Sequence, residues 1–213
     1  MMIPQAIHSP HDTLQGANSP EGNSLLDFWK WAYGDLCDDD VKGVFAEWLV
    51  HRLLGIESRR RVSWANSDVI TPEGVRIEVK ASSYWQSWKF LDEKGLPYDK
   101  PLHTPVQNES SLRFGGLRAR DATNASAAKS QPMLKSHLYV FVLNKEKDLS
   151  KWNAMDLSQW DFYIARAEDL AQIAGKSVTV VKLRPAYGPL SANQFVQRGK
   201  LLIEHVASEM KPV

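Results

Sequence analysis

Between Ser67 and Ser82 the chain reads SDVITPEGVRIEVKAS, a stretch that allows few backbone paths. Thr71-Pro72-Glu73-Gly74-Val75 fits a three-residue hairpin loop. Proline fixes φ at the second turn position, and glycine takes the left-handed one. In that register Val69 pairs with Ile77, and Asp68 faces Glu78. Side chains alternate along a strand, so Val75, Ile77 and Val79 point to one face and Arg76, Glu78 and Lys80 to the other. Directly opposed carboxylates, with Cβ atoms roughly 4.5–5.5 Å apart, repel each other. A cation between them removes that cost. The plainer reading is a solvated hairpin face on which Glu78 and Lys80 are an incidental surface pair.

The rest of the chain supplies a sheet for this hairpin. SLLDFWKWAYGDL opens on Ser24, with Asp27 three residues later, as a capping box does. Asp38, Asp39 and Asp40 lead VKGVFAEWLVHRLLG, where acids suit a helix N-terminus and Gly55 a C-terminal stop. Val41, Val44, Phe45, Trp48, Leu49 and Leu53 follow helical spacing, and Val50 and Leu54 widen the apolar arc. RRRVSW, LYVFVLN, FYIARA and SVTVVKL read as further strands, AEDLAQIAG as a short helix, and SANQFVQRGKLLIEHVASEM as a closing helix capped by Ser191. Leu91 to Ser136 is long and turn-rich, as functional loops are. The predicted organisation is a loose tail over residues 1–23, then one α/β (α+β) domain over 24–213. A central mixed sheet is flanked by helices, and a loop-rich insertion lies around 91–136.

Composition excludes several classes. With 213 residues, 43% hydrophobic and 24% charged, the chain is ordinary globular material. A net charge of +1 leaves no global basic field, so any nucleic-acid surface is a local patch. A single cysteine, Cys37, and six scattered histidines give no disulfide framework and no zinc-finger spacing. MMIPQAIHSPHDT lacks the basic and apolar blocks of a signal peptide, and LYVFVL is far too short to span a bilayer. The expectation is a cytoplasmic protein without a membrane partner.

Asp68, nine intervening residues, then Glu78-Val79-Lys80 on a strand resembles the signature of the PD-(D/E)XK nucleases, which have a restriction-endonuclease-like core. GVFAEWLV supplies Glu47, the acid on a preceding helix. DFWKWAYGDL, SYWQSWK and DLSQWDFYI are similar to a bacterial branch of that superfamily. The sequence departs from the pattern in reading Asn66-Ser67-Asp68, with no proline before the aspartate. The resemblance implies a magnesium-dependent endonuclease acting on DNA, with manganese as a substitute. Asp68, Glu78 and the Val79 carbonyl become metal ligands, Lys80 the catalytic lysine, and Glu47 an outer ligand or the ligand of a second ion. A homodimer is compatible with it.

Residue chemistry alone agrees with this class. Hard cations take carboxylate, carbonyl and water oxygens, and a lysine beside them offsets phosphate charge. Glu47 on an apolar helix needs a partner, and His51, one turn on, shares its stripe. Gln86 and Ser87 follow the signature strand, where a helix would aim them at phosphate. Arg113, Arg118, Arg120, Lys129 and Lys135 make the insertion locally basic, as a phosphate clamp is. Tyr84, Trp85, Trp88 and Phe90 read first as core and second as base-stacking groups. The alternative to an enzyme is a non-catalytic nucleic-acid-binding or partner-binding protein on the same fold.

Overall fold

The structure is a computed structural model that describes residues 8–16, 20, 23–56, 61, 65–91, 97–119 and 132–210. Side chains of 87–91 and 97–104 are outside that description. The chain divides into two compact units, Met1–Leu36 and Cys37–Val213. The first unit carries α1 (Leu25–Tyr33), opened by the expected capping box between Ser24 and Asp27. Part of the stretch read as a tail is tied to its start: Leu25 N–H donates to the Asp12 carbonyl and Leu14 N–H to that of Asn23.

The second unit begins with α2 (Asp39–Leu54), whose N-cap Asp38 accepts from the amides of Asp40 and Val41. Then come β1 (Val69–Ile70), β2 (Arg76–Ser83), β3 (Trp85–Leu91), β4 (Pro97–Pro105) and β5 (Arg113–Phe114). β6 (Leu138–Asn144), β7 (Trp160–Arg166), α3 (Ala167–Ile173), β8 (Val178–Thr179), α4 (Val180–Tyr187) and α5 (Ala192–Met210) complete it.

β1, β2, β6 and β7 lie side by side in that order as a mixed four-stranded sheet flanked by helices. β2 runs parallel to β6 and antiparallel to β1, and β6 runs antiparallel to β7. The hairpin register matches the sequence reading: Val69 faces Ile77, and Thr71 N–H donates to the Val75 carbonyl. Gly74 takes φ +85°, a left-handed value that favours glycine.

Alternation sorts the two faces. Ile77 and Val79 share one face with Val140, Ile164 and Phe162. α2 and α5 cover that face: Phe195 stacks on Phe162, and Phe45 lies against Trp160. Glu78 and Lys80 point the other way, beside Tyr139 and Phe141. There Phe114, Leu117, Leu170, Val178 and Leu183 close a second core. The polar groups of β2 thus emerge at the margin of a buried layer.

Four expectations need correction. SVTVVKL is mostly helix: only Val178 and Thr179 are strand, and Val180 and Leu183, three apart, turn inward from α4. β-branched residues suggested a strand, but burial at helical spacing decided the outcome. The segment after β2 is a strand rather than a helix, and β3 pairs with β4 inside the stretch read as a loop. Prolines 97, 101 and 105 suit such a small two-stranded ribbon, where missing N–H groups cost little. On α2, Val44 and Trp48 are exposed while Lys42 is buried. Lys42 pairs with Asp39 at 2.7 Å and donates to the Trp85 carbonyl, so a satisfied cation takes an inward position. The strand expected at RRRVSW lies outside the described residues apart from Arg61. No helix among the described residues is long and apolar enough to cross a membrane.

Candidate active site at the edge of the sheet

β1 begins at Val69, and among the described residues no strand pairs with that edge of β2 past Ile77. Asp68 continues the pairing register by one step and stands opposite Glu78. Its Oδ2 accepts the Val79 N–H at 2.7 Å, so a carboxylate serves where the ladder stops. A strand residue sends its N–H and C=O to the same edge, so the Val79 carbonyl leaves on the Asp68 side. On the same strand face the Lys80 ammonium donates to Glu78 Oε1 at 2.7 Å. Asp68 and Glu78 line a small cleft of about 90 Å³ together with Gly116, Leu117, Lys135 and Tyr139.

Gly116 brings the cleft wall close to Lys80. Gly116 has φ +65°, and a Cβ there would sit 3.9 Å from the lysine nitrogen. A side chain at 116 would strain the backbone, while its Cβ would only touch the ammonium. Tyr139 pins the surroundings. Its hydroxyl donates to the Leu117 carbonyl at 3.3 Å and accepts the Lys135 N–H at 3.0 Å.

Electrostatics set Asp68 apart. Burial, and then the Glu78 carboxylate, push its carboxyl up to about 6; the Val79 N–H pulls down, Glu47 pushes up and Lys80 pulls down. Desolvation outranks the like-charge repulsion that the sequence emphasised. Glu47, on α2, holds Arg61 in a two-pronged pair at 2.6 and 2.9 Å. Arg61 rather than His51 is thus its observed ion-pair partner; the buried Nδ1 of His51 finds no hydrogen-bond partner among the described residues.

The structure brings together Asp68, Glu78, Lys80 and the Val79 backbone, with Glu47 in electrostatic range. The expected phosphate contacts are scattered. Gln86 is buried, and its amide donates to the Ser83 carbonyl. Ser87 lies in β3, with its side chain outside the description. Arg113 is exposed on β5. Arg118 is turned to the end of α3, donating to the Gly175 and Ala174 carbonyls. Arg120 and Lys129 lie outside the described residues. Lys135 reaches the cleft itself. Tyr139 was missed because it sits in a continuous apolar run; the signal was its hydroxyl, which needs a partner when buried.

The donor set of two carboxylates and a strand carbonyl is all hard oxygen, and one carboxylate is held in a desolvated, like-charged position. That chemistry fits a hard divalent cation. Among the described residues no three His, Cys, Asp or Glu side chains are gathered as a ready-made cluster. No protein-family model and no curated protein matches the chain, so function is argued from this geometry.

Proposed function

We propose that the chain is a magnesium-dependent nuclease that hydrolyses phosphodiester bonds in DNA, on a restriction-endonuclease-like core of the PD-(D/E)XK kind. One observation carries the reading: Asp68 and Glu78 line one cleft at the edge of β2, the Lys80 ammonium is bonded to Glu78, and the Asp68 carboxyl is raised to about 6 by burial and by Glu78. Asp68, Glu78 and the Val79 carbonyl would hold the ion, with Glu47 behind them. Bound magnesium would supply Lewis-acid polarisation of a phosphate and a water of lowered pKa.

The chain's own residues do the rest. Asp68 is fixed by the Val79 amide, so its second oxygen keeps one orientation. Lys80, backed by Gly116, places a positive charge where a phosphate oxygen or attacking water would stand. With both carboxylates ionised, Asp68, Glu78 and Lys80 together are net negative, and Lys135 at the cleft offsets that charge.

A second reading, a DNA-binding or partner-binding protein that does not cut, is favoured by the Lys80–Glu78 and Glu47–Arg61 pairs, which satisfy two of the three acids internally. Supercoiled and linear DNA incubated with the protein and magnesium or manganese separates the two. The nuclease reading expects nicked or shortened products, lost in Glu78→Gln. Binding without any product favours the second reading.

A further inference from the structure

A larger cavity, about 590 Å³, lies beside the cleft and shares Asn66 and Lys135 with it. Its size is that of a small-molecule site. Met133, Val206 and Met210 give it apolar walls. Its charges are unevenly engaged. Arg166 is held by Glu168 at 2.8 Å and Glu209 at 2.6 Å. Lys135 has no ion-pair partner among the described residues. Arg76 donates through Nε to the Lys135 carbonyl at 3.2 Å, and its terminal guanidinium nitrogens have no ion-pair partner among the described residues. His137 Nδ1 accepts the Arg76 amide at 3.0 Å, so in the neutral ring Nε2 carries the proton and is the remaining donor.

Arg76 stands two residues before Glu78 on the same strand face, roughly 6.6 Å along the strand. Two cations and an imidazole N–H at the rim of an apolar-walled cavity suit a ligand with an anionic end and a flat apolar body. We propose that this cavity binds one nucleotide of the substrate strand. Its phosphate rests on Lys135 and Arg76, and its base lies against Met133 and Met210. The adjoining phosphodiester then lies over the Asp68–Glu78 cleft. The assignment rests on the nuclease reading for its role but not for its binding chemistry.

Calorimetric titration of the full chain in EDTA tests it with three probes: thymidine 5′-monophosphate, thymidine and inorganic phosphate. The monophosphate is expected to bind at least about tenfold more tightly than either fragment. Lys135→Ala and Met210→Glu, both at accessible positions, are each expected to weaken it at least about tenfold. Equal affinity for phosphate and monophosphate, or unaltered binding in Met210→Glu, overturns the nucleotide cavity. The same variants in a DNA cleavage assay keep the two ideas apart. Nucleotide binding without cleavage by wild type leaves the cavity and removes the nuclease. Cleavage unchanged in Met210→Glu, with no monophosphate binding, does the reverse.

Discussion

Glu109 and Asp68 are both carboxylates set beside a cation at the margin of the same sheet face, and they end in opposite states. Arg184 meets both oxygens of Glu109, one at 2.8 Å, and the Tyr84 hydroxyl donates to it at 3.1 Å. These bonds hold Glu109 below the ordinary carboxylate range, while burial and then Glu109 push the Tyr84 phenol up to about 12. Asp68 has one amide donor and two acidic neighbours, and the nearest ammonium is bonded to Glu78 instead. The fold can satisfy an acid fully where the acid is structural. Where it leaves one raised and crowded by like charge, a ligand is the simplest complement.

The sharpest way to break this contrast is catalytic. Glu78→Gln and Lys80→Ala are each expected to slow DNA cleavage by about 10²–10³-fold or more. Glu109→Gln should change the initial rate by less than about threefold, because it acts only through stability. Equal losses at the two clusters would mean that they do not differ in kind.

The pH dependence of metal-free stability should differ in sign. Asp68 titrates near 6 when folded and near 3.9 when unfolded, so the fold loses stability as pH rises from about 4 through 6. Allowing for partial exposure, the loss is on the order of 1–2 kcal/mol. Asp68→Asn, which keeps an oxygen for the Val79 amide, should exceed wild type by that amount at pH 8 and match it near pH 4. Glu109 is lowered in the fold, so its contribution is present above the unfolded value and fades as pH falls. Glu109→Gln should therefore be the less stable protein at pH 8. Urea midpoints at the two pH values decide; a wild type as stable as Asp68→Asn at pH 8 removes the strain at Asp68.

Magnesium sharpens the comparison further. At about ten times its dissociation constant it should stabilise wild type by roughly 1.4 kcal/mol, a rise in Tm of about 3–6 °C. Asp68→Asn should lose most of that gain and Glu109→Gln none of it.

The smallest effect separates two arginines. Arg113→Ala should flatten the salt dependence of DNA binding by about one logarithmic unit. Arg118→Ala should leave the slope alone and cost about 1 kcal/mol of stability, because its guanidinium is bonded to the end of α3. A reduced slope in Arg118→Ala would show that it leaves α3 to meet phosphate.

Local chemistry explains what was legible in the sequence. The Pro72-Glu73-Gly74 turn dictates its own register, and that alone put Asp68 opposite Glu78 and Lys80 on the shared face. Ser191 and Gln194 cap α5 reciprocally, as expected from Ser191. What was not legible depends on distant partners. Nothing near Glu47 in the chain announces Arg61, and nothing near Glu78 announces its alignment with Tyr139 across β6. The buried side of α2 was misjudged because Lys42 is neutralised by Asp39 and by the Trp85 carbonyl of another strand. The nucleotide-sized cavity joins residues from β2, the approach to β6 and the end of α5, which only tertiary packing brings together.

The central claim is that Asp68 and Glu78 hold a divalent cation for phosphodiester hydrolysis. Its most direct test is the conversion of supercoiled plasmid in the presence of magnesium, manganese or calcium. Magnesium and manganese are expected to yield nicked and linear products. Calcium, which suits the oxygen donors but activates water poorly, should support binding without cutting. Cleavage that persists undiminished in EDTA, or that Glu78→Gln performs at the wild-type rate, would contradict it.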